Sequence, residues 1–128
     1  MSHKKFQKPT DAELEILQVL WAHGPSSVRF VNDQLNAIRK IGYTTTLKVM
    51  QIMVGKDLVN RNTDARTHIY EANVSEAETQ SKLLENFLDT AFRGSATRLV
   101  MQALGNHQTS RQELAAIKNL IEKIENQE

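Results

Sequence analysis

Residues 43–72, YTTTLKVMQIMVGKDLVNRNTDARTHIYEA, decide the fold, because the spacing of the apolar residues changes within this stretch from a helical to a strand-like period. Gly42 separates the stretch from what precedes it, and Thr44 is expected to cap a new helix. The predicted buried side of this helix consists of Thr46, Val49, Met50 and Met53. The opposite side carries Thr44, Thr45, Lys48, Gln51 and Ile52.

A single β-hairpin is predicted directly after this helix. Residues 58–61 and 67–71 are short β-prone segments, and the polar residues 62–66 between them are typical of a turn. Asp57 stands where the chain must leave the helix. Asp tolerates the left-handed backbone conformation better than most residues, so we expect the helix to end there.

Two further helices are predicted before the deciding stretch. Thr10 and Glu13 have the spacing of a capping box, and Gly24-Pro25 ends the helix that begins there. Either Ser26 or Ser27 caps the second helix. The apolar face of the first helix is predicted to be Leu14, Leu17, Leu20 and Trp21. That of the second is predicted to be Val28, Val31, Leu35 and Ile38.

Three more helices are expected after the hairpin. Ser75 with Glu78 and Ser110 with Glu113 repeat the capping-box spacing, and the segment 93–95, Arg-Gly-Ser, separates the first of these helices from the second. Together these patterns predict a mainly α fold. It consists of a winged helix-turn-helix (three helices plus a β-hairpin) over residues 8–74 and a three-helix dimerisation region over residues 75–128.

The dimerisation prediction depends on apolar faces that the short segment cannot cover by itself. A segment of this size has too little interior for a core of its own, so its apolar faces are expected to pack against a second copy of the chain. The predicted interface consists of Leu84, Leu88, Leu99, Leu114, Ile117, Ile121 and Ile124.

The order of three helices and a hairpin indicates double-stranded DNA as the partner. In such folds the third helix enters the major groove, where Thr, Lys and Gln side chains reach base edges, while cations on the hairpin and on the second helix contact phosphates. The residues predicted to read bases are Thr44, Thr45, Lys48 and Gln51. Those predicted to hold the backbone are Arg29, Arg61 and Arg66.

Composition agrees with this prediction and excludes other classes. Residues 1–74 hold ten Lys and Arg against seven Asp and Glu, whereas residues 75–128 hold six against eight, so the front half is mildly basic and the back half acidic. The chain has no cysteine, which excludes thiolate metal sites and suits a reducing cytoplasm. The four histidines lack metal-ligand spacing. We find no catalytic motif, and we expect no enzyme activity, no cofactor, no bound metal and no membrane anchor.

The chain also resembles the penicillinase-repressor (BlaI/MecI/CopY) family over residues 8–125. The most specific part is the opening Glu-Leu-Glu-Ile-Leu-x-x-Leu-Trp together with the Tyr-Thr-Thr that starts residues 43–72. The segments that carry the resemblance are PTDAELEILQVLWAHGPSSVRFVNDQL, YTTTLKVMQIMVGKDLVNR, RTHIYEANVSEAE, ENFLDTAFRGSATRLVMQAL and SRQELAAIKNLIEKI. The resemblance implies a cytoplasmic homodimeric repressor of a resistance or stress operon. It also implies a membrane-bound sensor protease as a partner. The repressor would leave its operator when a β-lactam triggers this protease.

The chain departs from the family pattern at three places. The recognition helix has Ile52 where Arg is common, and it ends on Lys56-Asp57 in place of Lys-Gly. The Asn-Phe bond that is cut in the helix before the last is replaced by Gln102-Ala103. The chain's own Asn86-Phe87 pair lies in the first helix after the hairpin, and we predict that it is buried and is not a regulatory cleavage site. The cysteines of the copper-responsive branch are missing.

Two other functions are compatible with the same predicted fold. Many winged helices serve as protein-interaction modules without binding DNA, and some are regulators that sense a ligand. Salt-dependent binding to random duplex distinguishes the first alternative, because phosphate contacts weaken as counterions compete. A sizeable apolar pocket between the two halves would support the second.

Overall fold

The computed structural model describes residues 6–64 and 66–127, so Ala65 in the predicted turn and Glu128 lie outside the described residues. This part of the chain is mainly helical, as the sequence predicts, and contains one three-stranded antiparallel sheet. Its elements are α1 (Asp11–His23), β1 (Ser26–Ser27), α2 (Val28–Asn36), α3 (Tyr43–Gly55), β2 (Val59–Asn62), β3 (Ile69–Ala72), α4 (Glu76–Ala91), α5 (Ala96–Asn106) and α6 (Arg111–Asn126). None of the helices within these residues is both long and apolar enough to cross a membrane.

Helix α1 begins and ends as predicted. The Thr10 hydroxyl accepts from the backbone N–H of Glu13 at 3.2 Å, and the Glu13 carboxylate accepts from the Thr10 N–H at 2.9 Å, which completes the capping box. Gly24 follows the helix with a φ of 81°, a conformation that glycine adopts without steric cost. Both ends of α1 are therefore set by local residues.

The sheet contains one strand that the sequence pattern does not predict. Strand β3 lies between β1 and β2, with Tyr70 opposite both Ser26 and Arg61. The predicted hairpin of β2 and β3 is confirmed. Strand β1 has only two residues, which are too few to show a periodic pattern in the sequence. Of the two candidate caps of α2, Ser27 is the N-cap, and its hydroxyl accepts from the Phe30 N–H at 3.1 Å.

The hydrophobic core is formed by residues from α1, α2, α3 and the hairpin. Its buried members are Ile16, Leu17, Leu20, Val28, Val31, Leu35, Met50, Met53, Leu58, Val59 and Tyr70. Trp21, predicted as a core residue, packs against the core but is only partly buried. Its indole Nε1 donates to the Val74 carbonyl at 2.9 Å, so the edge of the ring stays at the boundary where a polar partner is within reach.

Two local predictions for this part of the chain are wrong. Helix α3 starts at Tyr43 with Gly42 as its N-cap, so Thr44 lies inside the first turn and does not cap the helix. The extended backbone of Gly42 lets its carbonyl accept from the Thr46 N–H at 3.2 Å without a side-chain cap. Ile38 is 73% exposed because α2 ends at Asn36 and the turn that follows takes Ile38 off the buried face. The end of α3 is as predicted, with Asp57 at a φ of 60°.

The chain folds as two compact units, and the first extends to Leu84. Two ion pairs connect elements of this first unit. Lys56 donates to the buried Glu13 carboxylate at 2.8 Å and so links the end of α3 to α1. Arg39 pairs with Glu15 at 2.6 Å on the surface. The hydrogen bond from this guanidinium holds the pKa of the Glu15 carboxyl below its usual range. The stabilisation that this pair gives is present at neutral pH and is lost as the pH falls through that lowered pKa.

A second compact unit begins after Leu84, within α4. Ser95 and Ser110 cap α5 and α6, and their hydroxyls accept from the N–H of Arg98 at 3.2 Å and of Glu113 at 3.1 Å. Among the described residues, neither α5 nor α6 contains a buried one. This unit therefore has well-formed helices and no buried core of its own within the single chain.

The expectation that Phe87 is buried is wrong for the single chain. Phe87 lies in α4 as predicted, but it is 54% exposed. Its ring makes an edge contact with Phe92 at 5.6 Å between centroids, and the face it shares with Leu84 and Leu88 is otherwise partly open. Helicity at this position is confirmed and burial is not.

A polar contact inside the first unit fixes α3 against α2. The Asn32 amide donates to the Thr46 hydroxyl at 2.8 Å and to the Ile41 carbonyl at 3.2 Å. Asn36, one helical turn later, donates to the same carbonyl at 2.9 Å and accepts from the Ile41 N–H at 3.3 Å. Thr46 is fully buried, so its hydroxyl needs this partner. The two asparagines therefore hold the turn between the helices.

We expect Asn32→Ala to lower the free energy of unfolding by about 1–3 kcal/mol, because it leaves the buried Thr46 hydroxyl without its partner. Thr46→Val removes the same hydrogen bond from the other side, so the double variant should lose less than the sum of the two single variants. Chemical denaturation followed by circular dichroism measures all three. Asn60→Ala, which removes an exposed amide contact to Asn73, is the matched control and should change stability by about 0.5 kcal/mol or less. Strict additivity would refute the coupling.

Candidate nucleic-acid interface

Helix α3 has two chemically different sides. Thr46, Met50 and Met53 have essentially no exposed surface and face the core. The residues of the opposite side are all exposed, and they are Thr44, Thr45, Lys48, Gln51 and Ile52. The sequence pattern assigned these sides correctly, with Val49 half-buried at their boundary. The outward side presents hydroxyl, ammonium and amide groups along one stripe, the donors and acceptors that base edges in a major groove recognise.

The hairpin of β2 and β3 with its turn, which we call the wing, carries two exposed cations. Arg61 lies in β2, and Arg66 lies in the turn that leads to β3. Both are exposed, as is Arg29 in the first turn of α2. Guanidinium groups in such positions bind phosphate oxygens and can do so with two parallel hydrogen bonds.

A groove of about 530 Å³ lies between the start of α2, the start of α3 and the wing. We call it the wing groove, and its polar lining is Ser27, Arg29, Tyr43, Arg66, Thr67 and His68. The guanidinium of Arg29 lies 5.9 Å from the centroid of the Tyr43 ring, in cation–π range. The groove thus brings together two of the three predicted backbone-holding arginines, Arg29 and Arg66. Arg61 is not among the residues that line it.

Neither Tyr43 nor His68 is among the DNA-binding residues predicted from the sequence. Tyr43 is 46% exposed at the first position of α3, directly after the break at Gly42. The sequence feature that could have indicated Tyr43 is its place as an aromatic residue at the start of α3, the predicted recognition helix. No periodic pattern indicates that Tyr43 and His68 line the same groove, because the residues come from elements far apart in the chain.

The residues predicted to form the dimer interface follow the hairpin in the chain, from Leu84 onwards. Leu88, Leu99 and Ile117 are half-buried. The exposed members of the set are Leu84, Leu114, Ile121 and Ile124. Within residues 6–64 and 66–127, no three His, Asp or Glu side chains come together in a way that could hold a metal ion.

Comparison with known proteins identifies relatives of this chain. It is 24% identical over 123 residues to the penicillinase repressor of Bacillus licheniformis, a match that covers 96% of each protein. It is 20% identical to the methicillin resistance regulatory protein MecI of Mammaliicoccus sciuri, over 89% of this chain and 93% of that protein. Over 67 residues, which are 52% of this chain and 49% of that protein, it is 36% identical to the transcriptional regulator BlaI of Mycobacterium tuberculosis.

A solved structure resembles part of the chain. It is the solution structure of the DNA-binding domain of the repressor BlaI, with a TM-score of 0.50 and 26% sequence identity, and the match covers 59% of this chain and 93% of that one. The model of the penicillinase repressor family matches residues 9–123. The chain therefore belongs to the penicillinase repressor family.

Proposed function

We propose that this chain is a DNA-binding transcriptional repressor that acts in the cytoplasm as a homodimer on a palindromic operator. The observation that carries the proposal is the exposed polar side of α3 beside a wing with two exposed arginines. The names of its relatives and the fold it shares with the BlaI DNA-binding domain support repression through DNA. The family to which it belongs is one of repressors, not enzymes.

Base reading is assigned to the outward side of α3. Thr44 and Thr45 lie in the first turn, the end of a recognition helix that enters the major groove. Lys48 and Gln51 continue the stripe at intervals of three residues. A Lys or Gln side chain distinguishes bases through the donor and acceptor pattern of the groove, and the Thr45 methyl can also contact a thymine methyl.

Backbone holding is assigned to Arg29, Arg61 and Arg66. In the wing groove, Arg29 and Arg66 face the same space from α2 and from the wing, so one phosphate could accept from both. The Arg29 guanidinium lies over the Tyr43 ring, 5.9 Å from its centroid, so a cation–π contact can hold it near this groove. These contacts are blind to sequence, since every nucleotide has the same phosphate.

The two sets of residues should respond differently to mutation. Gln51→Ala is expected to cost about 1–3 kcal/mol of binding free energy on the preferred operator and little on random duplex. Arg66→Ala should weaken binding to both and lower the salt slope by about one unit per protomer, because one fewer counterion is released. Titration at several salt concentrations measures both. Arg111→Ala, which removes an exposed arginine from α6, is the charge-matched control and should change neither. If Gln51→Ala and Arg66→Ala each lose affinity for the operator and for random duplex in the same proportion, the separation of base-reading from backbone-holding residues is wrong.

The proposed dimer follows from the apolar surface of the second unit. Its helices are capped and regular, yet α5 and α6 have no buried residue within the described chain. Large side chains such as Ile121 and Ile124 are 50% and 56% exposed. Leaving such side chains in water costs free energy that a second copy recovers by covering them. The proposed interface comprises Leu84, Leu88, Leu99, Leu114, Ile117, Ile121 and Ile124.

Replacing both Ile117 and Ile121 by Asp should convert the dimer to a monomer, because association would bury unpaired carboxylates. Sedimentation measures the oligomeric state, and circular dichroism checks the helices. The matched control replaces Asn119 and Asn126 by Asp, which adds the same charge on the opposite face of α6 and should leave the dimer intact. A dimer that persists in the first variant would show that the contact lies elsewhere.

A dimer of this kind constrains the operator. Two copies related by a two-fold axis present two recognition helices, so the operator should contain two half-sites in inverted orientation. In helix-turn-helix dimers such half-sites lie about one helical turn, roughly 34–36 Å, apart, or a multiple of that distance.

Release of the operator is proposed not to use either of the two bonds considered above. Asn86–Phe87 lies inside α4 and Gln102–Ala103 lies inside α5. Gln102–Ala103 lacks the Asn-Phe pair that is cut at this place in the family, and Asn86–Phe87 lies in a different helix from that cut bond.

Incubation with an activated sensor protease of the family should therefore leave the folded chain uncut at both bonds, as measured by mass spectrometry. A family member that has Asn-Phe in the helix before the last is the positive control for protease activity. Heat-unfolded chain is the second control, because its bonds are accessible. Fragments of the folded chain that end at Asn86 or Gln102 would overturn the proposal.

A further inference from the structure

Ile52 is the one apolar side chain on the outward side of α3. It is 46% exposed, although it is a branched aliphatic residue in the middle of a well-formed helix. Two of the other large apolar residues exposed in this unit have ring contacts, whereas Ile38 lies in the turn after α2 and Leu84 lies in α4. Phe30 packs against the His23 ring at 5.1 Å, and Tyr43 lies beside Arg29 at 5.9 Å. Ile52 lies instead among hydroxyl, ammonium and amide groups.

The position of Ile52 aligns it with two predicted base readers. With 3.6 residues per turn, Thr45, Lys48 and Ile52 fall within about 60° of one another around the helix axis. Ile52 is seven residues after Thr45, about 10.5 Å further along the axis at 1.5 Å per residue. That distance corresponds to roughly three base-pair steps of 3.4 Å. A helix whose outward side faces the groove therefore presents two methyl-bearing residues to different base pairs.

We propose that Ile52 is a specificity-determining residue that contacts the 5-methyl group of a thymine, an inference that rests on the proposed function. Its side chain has no donor or acceptor, and the thymine methyl is the apolar group that the major groove displays. Placed against the edge of guanine or cytosine, Ile52 would cover donors and acceptors and leave them without partners. The residue thus selects thymine both by apolar contact and by the penalty that it imposes on other bases.

The test uses an operator selected from random duplexes with the wild-type protein. Each thymine of this operator is replaced singly by uracil, which removes the methyl group and keeps the pairing. One replacement per half-site should weaken binding by about four-fold through the contact with Ile52, the equivalent of about 0.8 kcal/mol for one buried methyl-sized group. Ile52→Ala should bind the unmodified operator more weakly and should lose its sensitivity to uracil at that same position.

Thr45→Ser is the matched control because it removes a methyl and keeps the hydroxyl. It should abolish sensitivity to uracil at a different thymine and leave the Ile52-dependent position unchanged. A second variant, Ile52→Gln, should shift the base selected at the Ile52-dependent position from thymine towards adenine, since Gln hydrogen-bonds the adenine edge. Ile52 is exposed, so neither variant removes core packing.

The outcomes separate this inference from the function it rests on. If the wild type selects no operator and binds no duplex, the proposed function itself fails. If the wild type binds an operator but Ile52→Ala keeps the full uracil sensitivity at every thymine, DNA binding stands and the assignment of Ile52 is wrong. A change of selected base in Ile52→Gln together with lost uracil sensitivity in Ile52→Ala supports it.

Discussion

The hydrogen bond from the Asn32 amide to the Thr46 hydroxyl is the contact on which the orientation of α3 depends. Met50 and Met53 turn the same side of the helix towards the core, but apolar burial is less directional than a hydrogen bond. A buried hydroxyl at the centre of the face does have a direction, and it must meet its partner. With Thr46 fixed inward, the outward position of Thr45 and Lys48 follows from the 3.6-residue period.

Tyr70 fixes the position of the wing. It is fully buried, and its strand lies between β1 and β2, so the hairpin is joined to the start of α2 on one side and to the end of α3 on the other. The start of α2 carries Arg29 and the turn of the hairpin carries Arg66. Sheet pairing and core packing together therefore bring these two cations to one groove.

Sequence reasoning recovered what is local and missed what is distant in the chain. The capping box at Thr10, the left-handed Asp57 and the two sides of α3 depend on residues within one or two helical turns, so their periods and spacings are visible in the sequence. The contact of Asn32 with Thr46, the two-residue strand at Ser26 and the meeting of Tyr43 with His68 depend on packing between elements. The predicted cap at Thr44 failed for a related reason, since Gly42 caps through its backbone conformation and no side-chain pattern records it.

The two sides of α3 are under different physical constraints, and this separates stability from specificity. Changing Thr46 or Met50 disturbs a close-packed core, in which even one methylene group is felt. Changing an outward residue such as Ile52 alters a side chain that is nearly half in water and that contributes little to the core. The outward side can therefore exchange hydrogen-bonding residues for apolar ones while the fold keeps its free energy of unfolding. The interior of this unit is complete without Ile52, so a change at this position acts mainly on what the outward side of α3 contacts.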